Sequence, residues 1–244
     1  PQVPEDVKRG GVAVQKLDTQ TGMTPQGDAD FSGITFSVIN NNENSVIVNG
    51  VEYQPGETVL DMVTNESGYA SSAADALPYG DYIIRETATN DGYLNTADDI
   101  YATVSEDGTV YDFTASDDVV RGGVEVYKSD IESDLGTPLG GASLDGTEFE
   151  IRLVSDEPVI VDGVTYYKGD VIGQHLVIKD GYAVTDAHYL PFGTYTLQEV
   201  KVGEGYNLTD GTAHEFSIRE DGVIVNPLDD GEHDGHVHNQ VKRG

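Results

Sequence analysis

The sequence predicts an all-β protein of two tandem antiparallel β-sandwich domains, and three observations carry that prediction. Short segments alternate Val, Ile and Tyr with polar residues, the period of a strand with one buried face. Asn-Gly and Asp-Gly pairs recur among the 29 glycines and mark tight hairpin turns. The chain also repeats itself. 11-GVAVQKLD-18 returns as 123-GVEVYKSD-130, 46-VIVNGVEY-53 as 159-VIVDGVTY-166, and 77-LPYGDYIIRET-87 as 190-LPFGTYTLQEV-200. Gly92-Tyr93 returns as Gly205-Tyr206.

The offset between copies is 112 at the lysines (16 to 128) and 113 at the glutamates (86 to 199). It grows to 122 at the ends, where 117-DDVVRGG-123 matches 239-NQVKRG-244, so copy two carries an insertion before its last strand, about residues 226–236. The start, 5-EDVKRGG-11, resembles both repeat ends. The expected organisation is therefore the tail of a preceding repeat at 1–9, repeat 1 at 10–121 and repeat 2 at 122–244, a piece of a longer chain. Arg-Gly-Gly joins the repeats with almost no linker, which favours a stiff rod.

Within each copy the elements follow in order. VAVQK, ITFSVI, SVIV-NG-VEY, YIIRE and YATV read as strands. Asn49-Gly50 and Asp162-Gly163 read as two-residue hairpin turns. No segment has the period of an amphipathic helix. Each copy is expected to be a small Greek-key sandwich.

Composition bounds the function. Lys plus Arg number 13 against 44 Asp plus Glu, a net charge of −31, which excludes ordinary nucleic-acid binding and docking on anionic membranes. With 37% hydrophobic residues a packed core is available. The chain has no cysteine, so no disulfide stiffens it. It has no apolar run of membrane-spanning length and no signal-peptide pattern.

Strand parity exposes a conflict. The inward row Val12, Val14 continues into Lys16, and Val124, Val126 into Lys128. The row Tyr82, Ile84 ends in Glu86, and Tyr195, Leu197 in Glu199. The closing strands give Phe113, Ala115, Asp117, Val119 and Val237, Asn239, Val241. Buried charges need partners, and the same violation in both copies implies that lysine, glutamate and acid or amide meet. A plain salt-bridge and hydrogen-bond cluster fits this parity as well as a reactive one.

These residues also carry a family resemblance. The run 124-VEVYKSD-130, 136-GTPLGGASLDGTEFEI-151, LPFGTYTLQE, Gly205-Tyr206 and a closing-strand Asn239 resembles the Cna B-type (SpaA-like pilin) domains, prealbumin/Ig-like repeats of Gram-positive pilins and surface adhesins. The resemblance covers both copies. Copy one departs from it at 22-GMTPQGDADFSG-33.

The resemblance implies an intramolecular isopeptide bond from the first-strand lysine to the last-strand Asn or Asp, assisted by the buried glutamate. That means Lys128 to Asn239 with Glu199, and Lys16 to Asp117 with Glu86. Such a bond forms once, on the chain itself, so no enzyme and no cofactor are implied. The implied role is a stalk or backbone repeat of a cell-wall-anchored extracellular adhesin or pilus. Its partners would be neighbouring repeats of the same chain, with any host ligand engaged through other domains. The alternative is a module binding a host protein or glycan with its own loops, above all the repeat 2 insertion.

Other signals are weaker. A related class of surface repeats uses a Thr-Gln ester, and Thr19 and Gln240 invite it, but Gln240 has outward parity. His233, His236 and His238 crowd near the C-terminus and are weak candidates for metal ligands, with a solvated polar insertion as the plainer reading. Acidic loops at 28–30 and 229–234 lack the calcium-loop pattern of an EF-hand.

Overall fold

A computed structural model describes residues 5–132, 137–208, 211–229 and 236–242. Contacts divide the chain into unit 1, Pro1–Pro25 with Asp30–Val119, and unit 2, Gln26–Ala29 with Val120–Gly244. Among the described residues there is strand and turn but no helix.

Unit 1 begins with β1 (Arg9–Asp18), β2 (Thr35–Asn40), β3 (Val46–Val48), β4 (Val51–Tyr53) and β5 (Thr58–Val63). It continues with β6 (Tyr69–Ser71), β7 (Leu77–Pro78), β8 (Gly80–Ala88), β9 (Ile100–Val104) and β10 (Val110–Asp117). Unit 2 starts with β11 (Arg121–Asp130), β12 (Glu148–Leu153), β13 (Val159–Val161), β14 (Val164–Tyr166), β15 (Leu176–Val177) and β16 (Tyr182–Val184). It ends with β17 (Leu190–Pro191), β18 (Gly193–Lys201), β19 (Tyr206–Asn207), β20 (Ala213–Ile218), β21 (Ile224–Val225) and β22 (His236–Val241).

Each unit packs one sheet on another around a core. In unit 1 the sheet β10-β1-β6 faces the sheet β5-β2-β8-β9, and Val12, Val14, Phe36, Val38 and Ile84 fill the space between them. In unit 2 the sheet β16-β11-β22-β19 faces β15-β12-β18-β20, with Val124, Val126, Phe149, Ile151 and Leu197 in the equivalent places. The β3-β4 and β13-β14 hairpins turn where Asn-Gly and Asp-Gly predict. Asn49 and Asp162 both have φ 50°, followed by Gly50 at 78° and Gly163 at 76°, as a type I′ turn requires.

The sandwich holds one pairing of a different kind. β1 pairs with β10, and β11 with β22, in parallel rather than antiparallel. Alternation fixes which face a side chain takes but not the direction of its neighbour, so the sequence is silent on this point. The closing strand differs between the units. β21 pairs with Gly123–Val124 as the start of β10 pairs with Gly11–Val12, and β22 resumes opposite Tyr127. In unit 2, β21 and β22 thus stand where unit 1 has the single strand β10.

Arg-Gly-Gly is strand rather than linker. Arg9 donates to the carbonyls of Ala76 (3.1 Å) and Ile47 (3.0 Å), and Arg121 to those of Tyr189 (3.2 Å) and Ile160 (2.9 Å). Each arginine ties the start of its first strand to a neighbouring loop and to the first strand of the small hairpin. A side chain at Gly11 or Gly123 would collide with the carbonyl oxygen of Ala73 or Asp186.

Candidate functional site

The inward rows end as parity predicts. Lys16, Glu86 and Asp117 are buried in unit 1, and Lys128, Glu199 and Asn239 in unit 2; both lysines and both acceptors are 0% exposed. Two features of the backbone bring each triplet together. The parallel register sets Lys16 opposite Ala115 and Asp18 opposite Asp117, and sets Lys128 opposite Val237 and Asp130 opposite Asn239. The acceptor is therefore the next inward residue past the lysine's own partner in both units. A β-bulge also falls beside each glutamate, between Thr35 and Phe36 in one unit and between Glu148 and Phe149 in the other. Glu86 is paired with Phe36, and Glu199 with Phe149, at those points.

In unit 1 the lysine lies between two carboxylates. Lys16 Nζ is 2.7 Å from Glu86 Oε2 and 2.5 Å from Asp117 Oδ2, and its ammonium stands 6.0 Å from the centre of the Phe36 ring. Burial pushes the Glu86 carboxyl up to about 7, with Lys16 opposing the rise and Asp117 adding to it. Glu86 is thus a carboxyl that holds a proton near neutrality, beside an ion pair of Lys16 and Asp117. Asp117 Oδ1 points away from the lysine and accepts from the backbone N–H groups of Thr96 (2.9 Å) and Ala97 (2.8 Å).

In unit 2 the glutamate bridges the other two groups. Asn239 Nδ2 donates to Glu199 Oε1 at 2.7 Å, and Lys128 Nζ stands 3.6 Å from Glu199 Oε2 while donating to the Val237 carbonyl at 2.7 Å. Burial pulls the Lys128 amine down to about 8, with Glu199 opposing. Both lysines thus lie against a buried glutamate, and Lys16 lies against Asp117 as well.

Sequence parity carried one step further finds a fourth inward group. Asp18 and Asp130 follow Lys16 and Lys128 on the same face and are buried as well. The Tyr93 hydroxyl donates to Asp18 Oδ2 at 3.2 Å, and Asp18 Oδ1 accepts from the N–H groups of Gln20 (2.7 Å) and Thr21 (3.0 Å). In unit 2 burial, with Asp130 adding to the rise, pushes the Tyr206 hydroxyl up to about 12. The repeated Gly-Tyr pair was the sequence signal for this contact.

The histidines do not form the site. His236 and His238 lie on the opposite face of β22 from Asn239 and are half-buried rather than fully solvated. The His236 ring packs 5.5 Å from Tyr127 and 6.3 Å from His238, and Ser129 Oγ and His238 Nδ1 share a hydrogen bond of 2.6 Å. His233 lies outside the described residues. Among the described residues no three His, Asp or Glu side chains cluster as metal ligands would. Gln240 is exposed, as its outward parity predicts, and Thr19 is exposed as well.

Comparison with known proteins places this geometry in context. The family model of the SpaA prealbumin-like fold domain matches residues 10–119 and again 123–231. Curated proteins returned no match. Among solved structures, the Bacillus anthracis TIE protein is similar in fold, with a TM-score of 0.59 and 23% identity, over 96% of this chain and 34% of that one. The chain thus spans about a third of that protein's length. A streptococcal ancillary pilin is aligned at 20% identity and a TM-score of 0.36, over 98% of this chain and 64% of that one. The minor pilin GBS52 of Streptococcus agalactiae is aligned at 15% and 0.37, over 96% and 97%.

Proposed function

The chain belongs to the SpaA prealbumin-like domain family, in two tandem copies, and from that premise we propose that it is a stalk or backbone segment of a Gram-positive surface adhesin or pilus, stiffened in each repeat by an isopeptide bond. The repeats run 10–121 and 122–244. The parent chain stands outside the cell, with neighbouring repeats as its partners, and any host ligand is engaged by other domains.

The observation that carries the proposal is the buried triplet, built twice on the same register. In repeat 1 the lysine amine contacts both the acceptor carboxylate and the glutamate, and in repeat 2 the glutamate touches both the lysine and the acceptor amide. In repeat 2 the neutral Lys128 amine adds to Cγ of Asn239, and Glu199 takes the amine proton and passes it to the departing nitrogen. An amide bond forms and ammonia leaves. In repeat 1 Lys16 and Asp117 condense with loss of water while Glu86 shuttles the proton. The folded geometry supplies the proximity, so no activating cofactor is needed. Linking also replaces buried charges by a neutral amide and removes the cost of keeping them out of water.

The mechanical consequence follows from the parallel pairing. With β1 and β10 running the same way, tension applied at the two ends of unit 1 shears this pair, and likewise β11 and β22 in unit 2. A covalent tie from Lys16 to Asp117 carries that tension directly and shields the residues between. It closes a loop of about a hundred residues, worth ~4.7 kcal/mol by the loop-entropy relation.

Peptide mapping tests the proposal. Digestion of the unsubstituted chain is expected to give two branched peptides, one joining Lys16 to Asp117 and one joining Lys128 to Asn239. Recovery of these four residues only in linear peptides contradicts it.

A further inference from the structure

Asp117 is held by more than its lysine. Oδ1 accepts from two successive backbone N–H groups, Thr96 at 2.9 Å and Ala97 at 2.8 Å, with Thr96 Oγ1 at 3.4 Å. Oδ2 faces Lys16 Nζ at 2.5 Å. The two carboxylate oxygens therefore have separate environments, one against amide donors and the other against the amine. The donors sit on irregular backbone, yet that backbone is pinned on three sides. Leu94 N donates to the Asp118 carbonyl (2.9 Å), Asn95 Nδ2 to the Glu86 carbonyl (3.1 Å), and Asp118 N to Thr96 Oγ1 (3.0 Å). The segment is thus tied to β8 at Glu86 and to Asp118, the residue that follows Asp117.

We infer that the Thr96 and Ala97 peptide N–H groups form an oxyanion cradle for bond formation in repeat 1, fixing Oδ1 as the carbonyl oxygen retained and Oδ2 as the oxygen lost. The inference rests on the isopeptide reading and adds the group that stabilises its transition state. Attack of the Lys16 nitrogen on Cγ of Asp117 pushes one electron pair onto Oδ1, where two preorganised donors receive it. The pair returns as the C–Oδ2 bond breaks. Oδ2 leaves as water, carrying two protons that originate on the Lys16 ammonium and are relayed through Glu86. The balance is one ammonium and one carboxylate giving one amide and one water, with no redox change. The new amide oxygen stays on the same two donors. The equivalent positions of repeat 2, Thr209 and Asp210, lie outside the described residues, so the inference concerns repeat 1.

A backbone ester tests it in the full chain. Replacing the Ala97 N–H by an ester oxygen, through incorporation of the matching α-hydroxy acid, removes one donor and leaves every side chain in place. Loss of water from freshly synthesised protein, followed by mass, is expected to slow by roughly a hundredfold. An unchanged or faster rate overturns the cradle, because the donors would then serve only the ground-state carboxylate. A second measurement does not depend on the variant. In the linked protein, through-hydrogen-bond couplings are expected from both the Thr96 and the Ala97 amide nitrogens to Cγ of residue 117; their absence overturns the cradle while leaving the bond intact. If the unsubstituted chain never loses water from repeat 1, the isopeptide reading fails there and the cradle with it.

Discussion

Repeat 1 and repeat 2 place the same lysine and glutamate on the same register, yet one acceptor atom separates their chemistry. Asp117 adds a second carboxylate, which draws Lys16 to within 2.5–2.7 Å of both acids and helps burial hold a proton on Glu86 to about 7. Asn239 brings no charge, Glu199 stands 3.6 Å from Lys128, and burial prevails over Glu199 and Asp130 in pulling the amine to about 8. The lesson is that the acceptor decides where the cluster's proton is held: among the carboxylates in repeat 1, and loosened from the lysine in repeat 2. The second contrast is architectural. β10 is one continuous strand, whereas its counterpart is split into β21 and β22 around an insertion.

Removing the lysines should break this comparison most visibly. Lys128→Ala is expected to restore the mass of one ammonia and to lower the stability of repeat 2 by up to about 4.7 kcal/mol, read by calorimetry. Lys16→Ala should restore one water and cost repeat 1 more, because it leaves Glu86 and Asp117 buried together without a cation. Equal losses in the two repeats would count against the charge argument. Exchanging the acceptors should exchange the leaving groups: Asp117→Asn should lose ammonia, and Asn239→Asp water.

The rates should carry opposite pH dependence. The neutral fraction of Lys128 grows as pH rises, so bond formation in repeat 2 should quicken roughly tenfold per pH unit and level off above about 8. The protonated fraction of Glu86 shrinks as pH rises, so repeat 1 should slow above about 7. Time courses of mass loss after cell-free synthesis would show both trends, and parallel profiles would refute the assignment. The smallest effect concerns the tyrosine behind the site of repeat 1. Tyr93→Phe takes a hydroxyl from the buried Asp18 and should destabilise repeat 1 by about 1–3 kcal/mol without preventing the bond, as denaturant melts and mass together would show.

Much of this was legible in the sequence because it depends on period two. Lys16, Glu86, Asp117 and their counterparts lie inside because Val12, Tyr82 and Ala115, with theirs, set the face. The type I′ turns follow from Asn-Gly and Asp-Gly. What stayed hidden depends on other physics. Strand direction leaves no trace in alternation, so the parallel closing pair was invisible. The Thr96 and Ala97 donors are backbone atoms, which no residue type announces. The half-burial of His236 comes from packing beside Tyr127, a tertiary contact. Asp18 and Asp130 needed only one more step along a row already drawn.

The central claim is that both triplets react. The intact mass of the unsubstituted chain tests it most directly. The account predicts a deficit of one ammonia and one water together relative to the sequence; a chain at full mass contradicts it.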